Sequence, residues 1–503
     1  MRQVSYGGGE AEVRAEVLLR PKQEAPGEPM RGDAFAVEIS AGQTIVYADS
    51  KRERLCAEEE LARLRRNGTA PCGLYRFEPD FQTRGVIEGF YGKPWSMAAR
   101  REILGLMARH GMNEYFYGPK DDPFHRDRWR ELYGDGEDAV LRELIAIAGE
   151  NGLEFRYLLA PGLDIRYTSE EDLAALARKY AQVYSFGVRR FGLLLDDLER
   201  ASLYAEDAAV YPKQVDAHIA LLNRVYRDLK ALDPDNTLIA CPTQYWGPVD
   251  GPYVTALGRG IPADVGLFFT GGHICSDRLT AAEAEAFAEA TSHRPTYWDN
   301  YPVNDAEMVD ELHLAPYTGR EPALSGVCEG VVLNPMEFAR ASLIPLLTAA
   351  DFLFDSEGYD PEASFDRAVA ELLGEAQIAP ARRLSEFCWK SCLTRNGYHY
   401  RYDAPAGANR LFEAAFAAGA DALLGYVRES AALFEALERC GDERFLSDCR
   451  RWLDACEAFC GAAETGLTGG GAAELKRYLY RNEDVMKPEA LRVVRLIESA
   501  ARR

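Results

Sequence analysis

The chain has 503 residues, of which 47% are hydrophobic and 27% charged, so it carries enough apolar side chains for a large core. Its net charge of −22 disfavours nucleic acids and anionic membranes as partners, because an acidic surface repels phosphate groups. The 11 cysteines lack the spacing of metal ligands, and many unpaired cysteines are typical of a reducing compartment. Neither a signal peptide nor a membrane span is visible. We therefore expect a cytoplasmic protein, or a secreted one if the N-terminus was trimmed.

Residues 1–82 are predicted to form a small α/β domain. Two strand-like runs, "FAVEI" and "TIVYA", are separated by a glycine-containing turn. The segment "SKRERLCAEEELARLRR" that follows has the spacing of apolar residues typical of a helix.

Residues 83–355 show short apolar runs that alternate with amphipathic helical stretches. The eight runs are Gly85–Glu88, Asn113–Tyr117, Glu154–Leu159, Arg190–Leu195, Thr237–Ala240, Val265–Phe269, Pro295–Trp298 and Gly330–Leu333. Their average spacing of about 35 residues is what a (β/α)8 barrel (TIM barrel) requires, and we predict that fold for a catalytic domain. A doubly wound sheet is the alternative, but "EGFYGKPW" is not the glycine-rich phosphate loop that its first strand would need.

Residues 356–503 lack strand-like runs and are predicted to form a C-terminal helical bundle. Segments such as "GANRLFEAAFAAGADALLGYVRESAALFEALERC" have helical periodicity throughout. We regard these helices as a candidate surface for a homodimer.

Polar and aromatic residues follow seven of the eight predicted strands. The carboxyl ends of barrel strands face one cavity, so these side chains are expected to meet there. Aromatic rings stack on sugars, and Asp, Asn and Lys bind hydroxyls, so the set favours a carbohydrate pocket, although a single Asp after a strand is more often a helix N-cap. The residues are Glu88, Gly89, Tyr91, Trp95, Lys120, Asp121, Asp122, Asp196, Asp197, Thr243, Gln244, Tyr245, Trp246, His273, Trp298, Asp299, Asn300, Asp305 and Asn334.

Two adjacent carboxylates, Asp196 and Asp197, end the run "FGLLLDD". Their repulsion in a partly desolvated site is expected to raise the pKa of at least one of them. Ordinary retaining glycosidases place the acid and the nucleophile on opposite sides of the sugar, about 5 Å apart, which adjacent residues do not match. A 2-acetamido sugar carries its own nucleophile, the carbonyl oxygen. One Asp would then hold the acetamide N–H while the other protonates the leaving oxygen.

A metal site is the competing interpretation. Asp196, Asp197 and Glu199 could bind Mg²⁺ or Ca²⁺ together with Asp121 and Asp122. The lysine and aromatic residues at the same strand ends argue against it, and no histidine is suitably spaced. We therefore expect neither a metal nor a cofactor.

Six motifs resemble glycoside hydrolase family 84, the O-GlcNAcase family: "RGVIEGFYGKPWS", "YGPKDDPFHRDRWRELY", "FGLLLDDLE", "CPTQYW", "YWDNYPVND" and "VVLNP". The resemblance covers residues 84–354 and extends weakly to the N-terminal unit. It implies that Asp196 holds the acetamido N–H and that Asp197 is the general acid and then the general base. The implied sugar contacts are Gly89, Tyr91, Lys120, Tyr245, Trp298, Asn300, Asp305 and Asn334.

The implied activity is that of a retaining exo-β-N-acetylglucosaminidase, which removes terminal β-GlcNAc from a glycoprotein or oligosaccharide through an oxazoline intermediate. A non-catalytic GlcNAc-binding or glycoprotein-binding module and a hyaluronidase-type endo-glycosidase remain alternatives. Gln244 stands where the family commonly has Glu, and "FFTGGHICS" departs from the usual Trp-Thr-Gly-Pro stretch. Both departures affect the rim, and hence the preference for the leaving group.

Overall fold

The computed structural model describes residues 2–13, 16–66, 68–198, 203–388, 391, 410–481 and 485–501. Its first part is a five-stranded sheet in the order β1-β5-β3-β4-β2, in which only β2 and β4 pair in parallel. The strands are β1 (Arg2–Glu12), β2 (Val17–Arg20), β3 (Phe35–Ser40), β4 (Gln43–Tyr47) and β5 (Thr69–Phe77).

Helix α1 (Lys51–Arg66) packs against this sheet. Ala57 and Leu61 on the helix share a core with Val37 and Tyr75 on the strands. The two predicted strands and the predicted helix are confirmed, whereas β1, β2 and β5 were not foreseen. The sequence of β1, "RQVSYGGGEAE", contains three consecutive glycines, which are unfavourable in strands, so its pairing depends on β5 rather than on local propensity.

The second part is a closed barrel of eight parallel strands, and the predicted (β/α)8 fold is confirmed. Each strand lies within two residues of its predicted bounds at either end. The strands are β6 (Thr83–Glu88), β7 (Glu114–Tyr117), β8 (Glu154–Leu159), β9 (Arg190–Leu194), β10 (Thr237–Cys241), β11 (Gly266–Phe269), β12 (Pro295–Asp299) and β13 (Gly330–Leu333).

Helices surround the barrel strands, and several begin at a side-chain cap. Ser96, Ser169 and Thr280 each accept a hydrogen bond from the backbone N–H three residues on, which satisfies one of the free donors of the first turn. The helices are α2 (Met97–Arg109), α3 (Asp135–Glu150), α4 (Glu170–Ser185), α5 (Ala205–Val210), α6 (Gln214–Leu232), α7 (Pro252–Gly260), α8 (Ala281–Thr291) and α9 (Ala339–Phe354).

The described residues after 355 are helical, as predicted. Phe387, Tyr426, Phe434 and Phe459 form an aromatic core between these helices. The helices are α10 (Pro361–Leu373), α11 (Ile378–Phe387), α12 (Arg410–Ala418), α13 (Ala420–Glu438), α14 (Glu443–Thr465), α15 (Ala473–Tyr478) and α16 (Lys487–Ala501). Across the described part of the chain, no helix combines the length and apolar character needed to cross a membrane. The domain boundaries at residues 82 and 355 stay predictions.

Candidate active site

A cavity of about 470 Å³ opens at the carboxyl ends of the barrel strands. Below it, the barrel interior is filled by inward-facing side chains such as Ile87, Phe116, Leu158 and Val332, so the cavity is closed at its inner end. The ten residues predicted from the resemblance all line it: Gly89, Tyr91, Lys120, Asp196, Asp197, Tyr245, Trp298, Asn300, Asp305 and Asn334. A larger crevice of about 1100 Å³ lies at the opposite strand ends, where charged groups such as Asp33 and Arg84 pair with each other, and contains none of the ten.

The backbone at the end of β9 brings two consecutive carboxylates into this cavity. Leu195 extends the strand, since its N–H donates to the Cys241 carbonyl at 2.8 Å and its carbonyl accepts from Thr243 Oγ1 at 2.7 Å. Asp197 then turns the chain with a φ of 53°, in the left-handed region that non-glycine residues seldom adopt. Successive side chains of a strand point to opposite faces, so this turn lets Asp196 and Asp197 line the same cavity.

Asp196 forms a buried ion pair. Lys120 Nζ donates to Asp196 Oδ2 at 2.7 Å, and the two side chains are only 3% and 8% exposed. Burial on its own would raise the pKa of Asp196, but the charge and hydrogen bond of Lys120 hold that pKa below its ordinary value. Burial likewise opposes the charge on Lys120, yet Asp196 raises the lysine's pKa. Both groups are therefore charged at neutral pH.

Asp197 is held by two tyrosine hydroxyls. Tyr91 donates to Asp197 Oδ2 at 2.8 Å, and Tyr245 donates to Oδ1 at 3.0 Å. Burial, and then the nearby Asp197 charge, raise the pKa of Tyr245, so its hydroxyl keeps its proton. A hydroxyl can donate to a carboxylate or accept from a carboxylic acid. The pair of tyrosines can therefore hold Asp197 in either protonation state.

Three other polar side chains of the cavity form hydrogen bonds within its wall. Asn334 Nδ2 donates to Asn300 Oδ1 at 2.9 Å, while Asn334 Oδ1 and Trp298 Nε1 are buried without a partner among the described residues. Asp305 accepts from the Tyr91 N–H at 2.8 Å, and burial raises the pKa of Asp305. Both atoms are enclosed by protein, so a ligand reaches them only if neighbouring side chains move.

Gly89 is required by the indole beside it. A Cβ at this position would lie 2.7 Å from Trp298 Cζ2, closer than real contacts allow. Only glycine lets the backbone after β6 pass against Trp298, and this close approach leaves the Gly89 backbone itself on the cavity wall.

The expectation that all polar strand-end residues share the cavity is wrong for several of them. Glu88 and Asp299 instead form buried ion pairs with Arg100 and Arg320. Alternation along the strand explains this, because each of these acids directly precedes a residue that does line the cavity. Trp95, Asp121, Asp122, Thr243 and Gln244 do not line the cavity either.

The acidic residues proposed for a metal do not gather around the Asp196–Asp197 pair. Asp122 accepts hydrogen bonds from the hydroxyls of Tyr117 and Tyr133 at 2.9 Å, and Asp121 is exposed. Glu199 lies outside the described residues. What the structure supplies beside Asp196 is the ammonium group of Lys120.

The sequence model of the β-N-acetylglucosaminidase family matches residues 84–386, more than half of the chain. The chain belongs to this family, glycoside hydrolase family 84. The Protein O-GlcNAcases of Rattus norvegicus and Mus musculus are each 34% identical to it over 272 residues, which are 53% of this chain and 29% of theirs. The chain thus spans less than a third of the length of these curated relatives.

Solved structures give the same relationship. An O-GlcNAc hydrolase mutant of Thermobaculum terrenum is 30% identical, with a TM-score of 0.77 over 83% of this chain and 94% of that one. The structure of CpGH84B, which is 21% identical, has a TM-score of 0.77 over 100% of this chain and 98% of its own, which shows the shared fold. The predicted resemblance to family 84 is confirmed.

Several residues of this family 84 cavity were not singled out by the sequence. Cys241 directly follows the predicted run Thr237–Ala240 but was not proposed for the cavity, although it lies two residues after the inward-facing Ile239 and so shares its face of the strand. The loops contribute residues that follow no periodic pattern. These missed residues are Cys241, Thr270, Ile274, Cys275, Val303, Ala306, Glu307 and Met308. Trp246 and His273 were predicted from their positions after strands and not from the family resemblance, and both line the cavity.

Proposed function

We propose that this family 84 protein is a retaining exo-β-N-acetylglucosaminidase of the O-GlcNAcase type, which hydrolyses terminal β-GlcNAc by substrate assistance. One observation carries the proposal: two adjacent aspartates line one cavity and have different partners. Asp196 has the buried ammonium of Lys120 at 2.7 Å, whereas Asp197 has two neutral hydroxyls. One carboxylate therefore has a cation beside it and the other has only hydroxyl groups, an asymmetry that suits the separate roles of a fixed anion and a proton donor.

In the first step, the acetamido carbonyl oxygen of the sugar attacks C1 and the bond from C1 to the leaving oxygen breaks. Asp197 gives its proton to that oxygen, and Asp196 accepts the hydrogen bond of the acetamide N–H as positive charge develops on the oxazoline ring. In the second step, water adds to C1 while Asp197 takes its proton, and the acetamide re-forms. Two inversions at C1 leave the product with the β configuration.

The neighbouring residues supply binding. We assign Asn300, Asp305 and Asn334 to the sugar hydroxyls and the acetamido region, together with the Lys120 ammonium and the Gly89 carbonyl. The hydrogen bond from Asn334 Nδ2 to Asn300 Oδ1 at 2.9 Å links two of these side chains.

The aromatic residues shape the acetyl pocket. Trp298 would contact the acetyl methyl, with Tyr245 near C1 and the partly exposed Tyr91 at the outer edge. The Lys120 ammonium lies 5.4 Å from the Tyr91 ring centroid and 5.8 Å from that of Trp298, which places the aromatic faces around the cation that fixes Asp196.

The closed inner end of the cavity favours exo action over endo cleavage. The inner residues Lys120, Asn334 and Trp298 are buried, whereas Tyr91 and Trp246 at the outer side are each about two-fifths exposed. A terminal sugar fits such a pocket, and its aglycone then faces solvent. The substrates we propose are glycoproteins or oligosaccharides that end in β-GlcNAc.

The test compares an aryl β-GlcNAc with the matching aryl β-glucoside. We expect hydrolysis of the first and almost none of the second; equal rates would refute the acetamido mechanism, and tight GlcNAc binding without turnover would indicate a binding module. Asp197→Asn should lose most turnover, least for substrates with good leaving groups. A variant as active as the parent enzyme on poor leaving groups would refute the acid role. Tyr204→Phe, which alters an exposed residue outside the cavity lining, is a control expected to keep the parent rates.

We also propose a reducing compartment and a homodimer. None of the ten described cysteines forms a disulfide, which favours a cytoplasmic location. Leu411 and Leu491 are exposed on α12 and α16, which are joined by the Arg492–Glu413 ion pair, and so offer an apolar contact. Light scattering of Leu491→Glu beside the parent protein tests the dimer, which the substitution should dissociate.

A further inference from the structure

The loop between β12 and β13 connects the active site to the C-terminal helices. We call residues 301–313 the Asp305 loop. Near its start, Asp305 lines the cavity and binds the Tyr91 N–H, and the short 3₁₀ helix Ala306–Met308 follows. Two residues beyond that helix, Asp310 contacts α14.

Helix α14 binds the Asp305 loop through two consecutive residues. Trp452 Nε1 donates to the Asp310 carbonyl at 2.8 Å. Arg451 forms an ion pair with the Asp310 carboxylate and donates to the Val309 carbonyl at 3.3 Å. These contacts join residues 141 and 142 positions apart in sequence, and they connect the outer half of the loop to helix α14.

Trp452 also contacts the segment after β13. Its indole is 1% exposed and packs edge-on against Phe338, with ring centroids 5.2 Å apart and an interplanar angle of 86°. Phe338 lies four residues after Asn334, which lines the cavity. One side chain of the helical region therefore contacts two of the segments that bring residues to the cavity.

Internal hydrogen bonds tie the Asp305 loop into one unit. Asn304 Nδ2 donates to the Glu311 carbonyl at 2.7 Å, and the Met308 N–H donates to the Asp305 carbonyl at 2.9 Å. The base of the loop is fixed to β13, since the Val303 N–H donates to the Asn334 carbonyl at 2.9 Å. These hydrogen bonds link the part of the loop that contains Asp310 to the part that contains Asp305.

Helix α14 itself is anchored to the barrel. Arg340, at the start of α9, donates from Nε to Asp442 at 2.7 Å, and its backbone N–H donates to Asp448 Oδ2 at 2.8 Å. Arg340 also pairs with Glu102 on α2. The helix thus has a fixed position from which Arg451 and Trp452 can hold the loop.

We propose that Trp452 and Arg451 are positioning residues for the sugar site, so that the C-terminal helices set the affinity for the GlcNAc residue through Asp305. Helix α14 lies outside residues 84–386, the part matched by the family. The choice of sugar rests on the proposed function. The positioning of the loop does not.

The experiment measures kcat and KM for an aryl β-GlcNAc in Trp452→Phe and Arg451→Gln. Trp452→Phe keeps an aromatic ring against Phe338 but removes the N–H donor. Because Asp305 binds the sugar before and during the reaction, we expect KM to rise about tenfold in Trp452→Phe, with kcat within about twofold of the parent. Arg451→Gln should shift KM in the same direction by less, since its ion pair is partly exposed.

Two comparisons separate positioning from a general loss of structure. Arg428→Gln breaks the exposed Arg428–Glu464 ion pair within the same helices and should leave both constants unchanged. In an Asp305→Asn background, Trp452→Phe should add nothing, because the group that it positions is already lost. Full additivity of the two changes would overturn the proposal.

A readout without substrate keeps the test independent of the proposed function. Amide hydrogen exchange of residues 301–313 should become faster in Arg451→Gln and Trp452→Phe but not in Arg428→Gln. Unchanged exchange together with unchanged KM in both variants would overturn the proposal. If Trp452→Phe fails to fold, Arg451→Gln, which alters a partly exposed side chain, decides alone. Absence of turnover in the parent enzyme would count against the proposed function, and hydrogen exchange would still decide the positioning role.

Discussion

Lys120→Met tests the role of the buried ion pair between Lys120 and Asp196. The substitution keeps a long apolar side chain but removes the ammonium group 2.7 Å from Asp196 Oδ2. Since the Asp196 side chain is only 8% exposed, its charge would then be buried without a partner. Breaking one side of a buried ion pair typically costs about 3 kcal/mol of unfolding free energy or more. We expect a loss of that size at neutral pH, measured by urea denaturation.

The pH dependence follows from the sign of the pKa shift. Folding lowers the pKa of Asp196 from 3.8, so the ion pair stabilises the fold above that pH, and this contribution is lost as the pH falls through the folded-state pKa. Without Lys120, burial loses the largest effect that opposes it, so the pKa of Asp196 should rise. In a plot of kcat/KM against pH, we assign the fall on the acidic side to protonation of Asp196. This fall should move to higher pH in Lys120→Met.

The activity loss is expected to be about a hundredfold in kcat/KM at neutral pH, or about 2.7 kcal/mol, because Asp196 must be an anion when positive charge develops on the acetamide. The assay is a pH profile on an aryl β-GlcNAc. Arg128→Met is the matched control. Arg128 lies, like Lys120, on the segment after β7, but it is an exposed cation paired with Glu131. An acidic limb and a stability that match those of the parent would refute the reasoning.

Two further substitutions test binding and packing. Asp305→Asn should raise KM at least about tenfold, because a charged hydrogen-bond acceptor for the sugar is lost. The variant should be as stable as the parent or more stable at neutral pH, because burial raises the pKa of Asp305 and the folded state therefore disfavours its charge. A destabilised variant with unchanged KM would contradict both expectations. Gly89→Ala should lower kcat/KM and the melting temperature, because its Cβ would collide with Trp298 at a cost of about 1–3 kcal/mol. Gly136→Ala on α3, where a Cβ meets only open space, is its control, and equal effects would exclude the collision.

The barrel and most of its cavity could be predicted because two regularities act together. Apolar runs such as Glu154–Leu159 recur at the spacing of a βα unit, and the carboxyl ends of parallel strands converge. The residues after those ends, among them Asp196 and Asn334, therefore fall in one place. Neither inference needs contacts between distant residues.

Side-chain direction could not be predicted in the same way. Glu88 and Gly89 are neighbours, yet Glu88 pairs with Arg100 outside the barrel interior and Gly89 lines the cavity. The direction depends on the exact register of the strand end, where a shift of one residue exchanges the two faces. A sequence pattern accurate to one or two residues does not reach that precision.

Contacts between residues far apart in the chain could not be predicted from the sequence either. Strand β1 pairs with β5 in a register that joins residues as distant as Arg2 and Arg76, and the glycines of β1 are unfavourable in strands. Trp452 reaches Asp310 from 142 residues away, and nothing in the periodicity of α14 distinguishes this side chain from a buried core residue. Such contacts follow from tertiary packing, which fixes them only once both partners are folded.

The central claim is that the substrate's acetamido oxygen is the nucleophile, and a series of fluorinated substrates tests it most directly. Each fluorine placed on the acetyl methyl withdraws electron density from the carbonyl oxygen without changing the leaving group. The account predicts that kcat/KM of the parent enzyme falls steadily from the acetamido to the trifluoroacetamido aryl glycoside. A rate that does not change across the series would contradict it, and would require a nucleophile supplied by the protein.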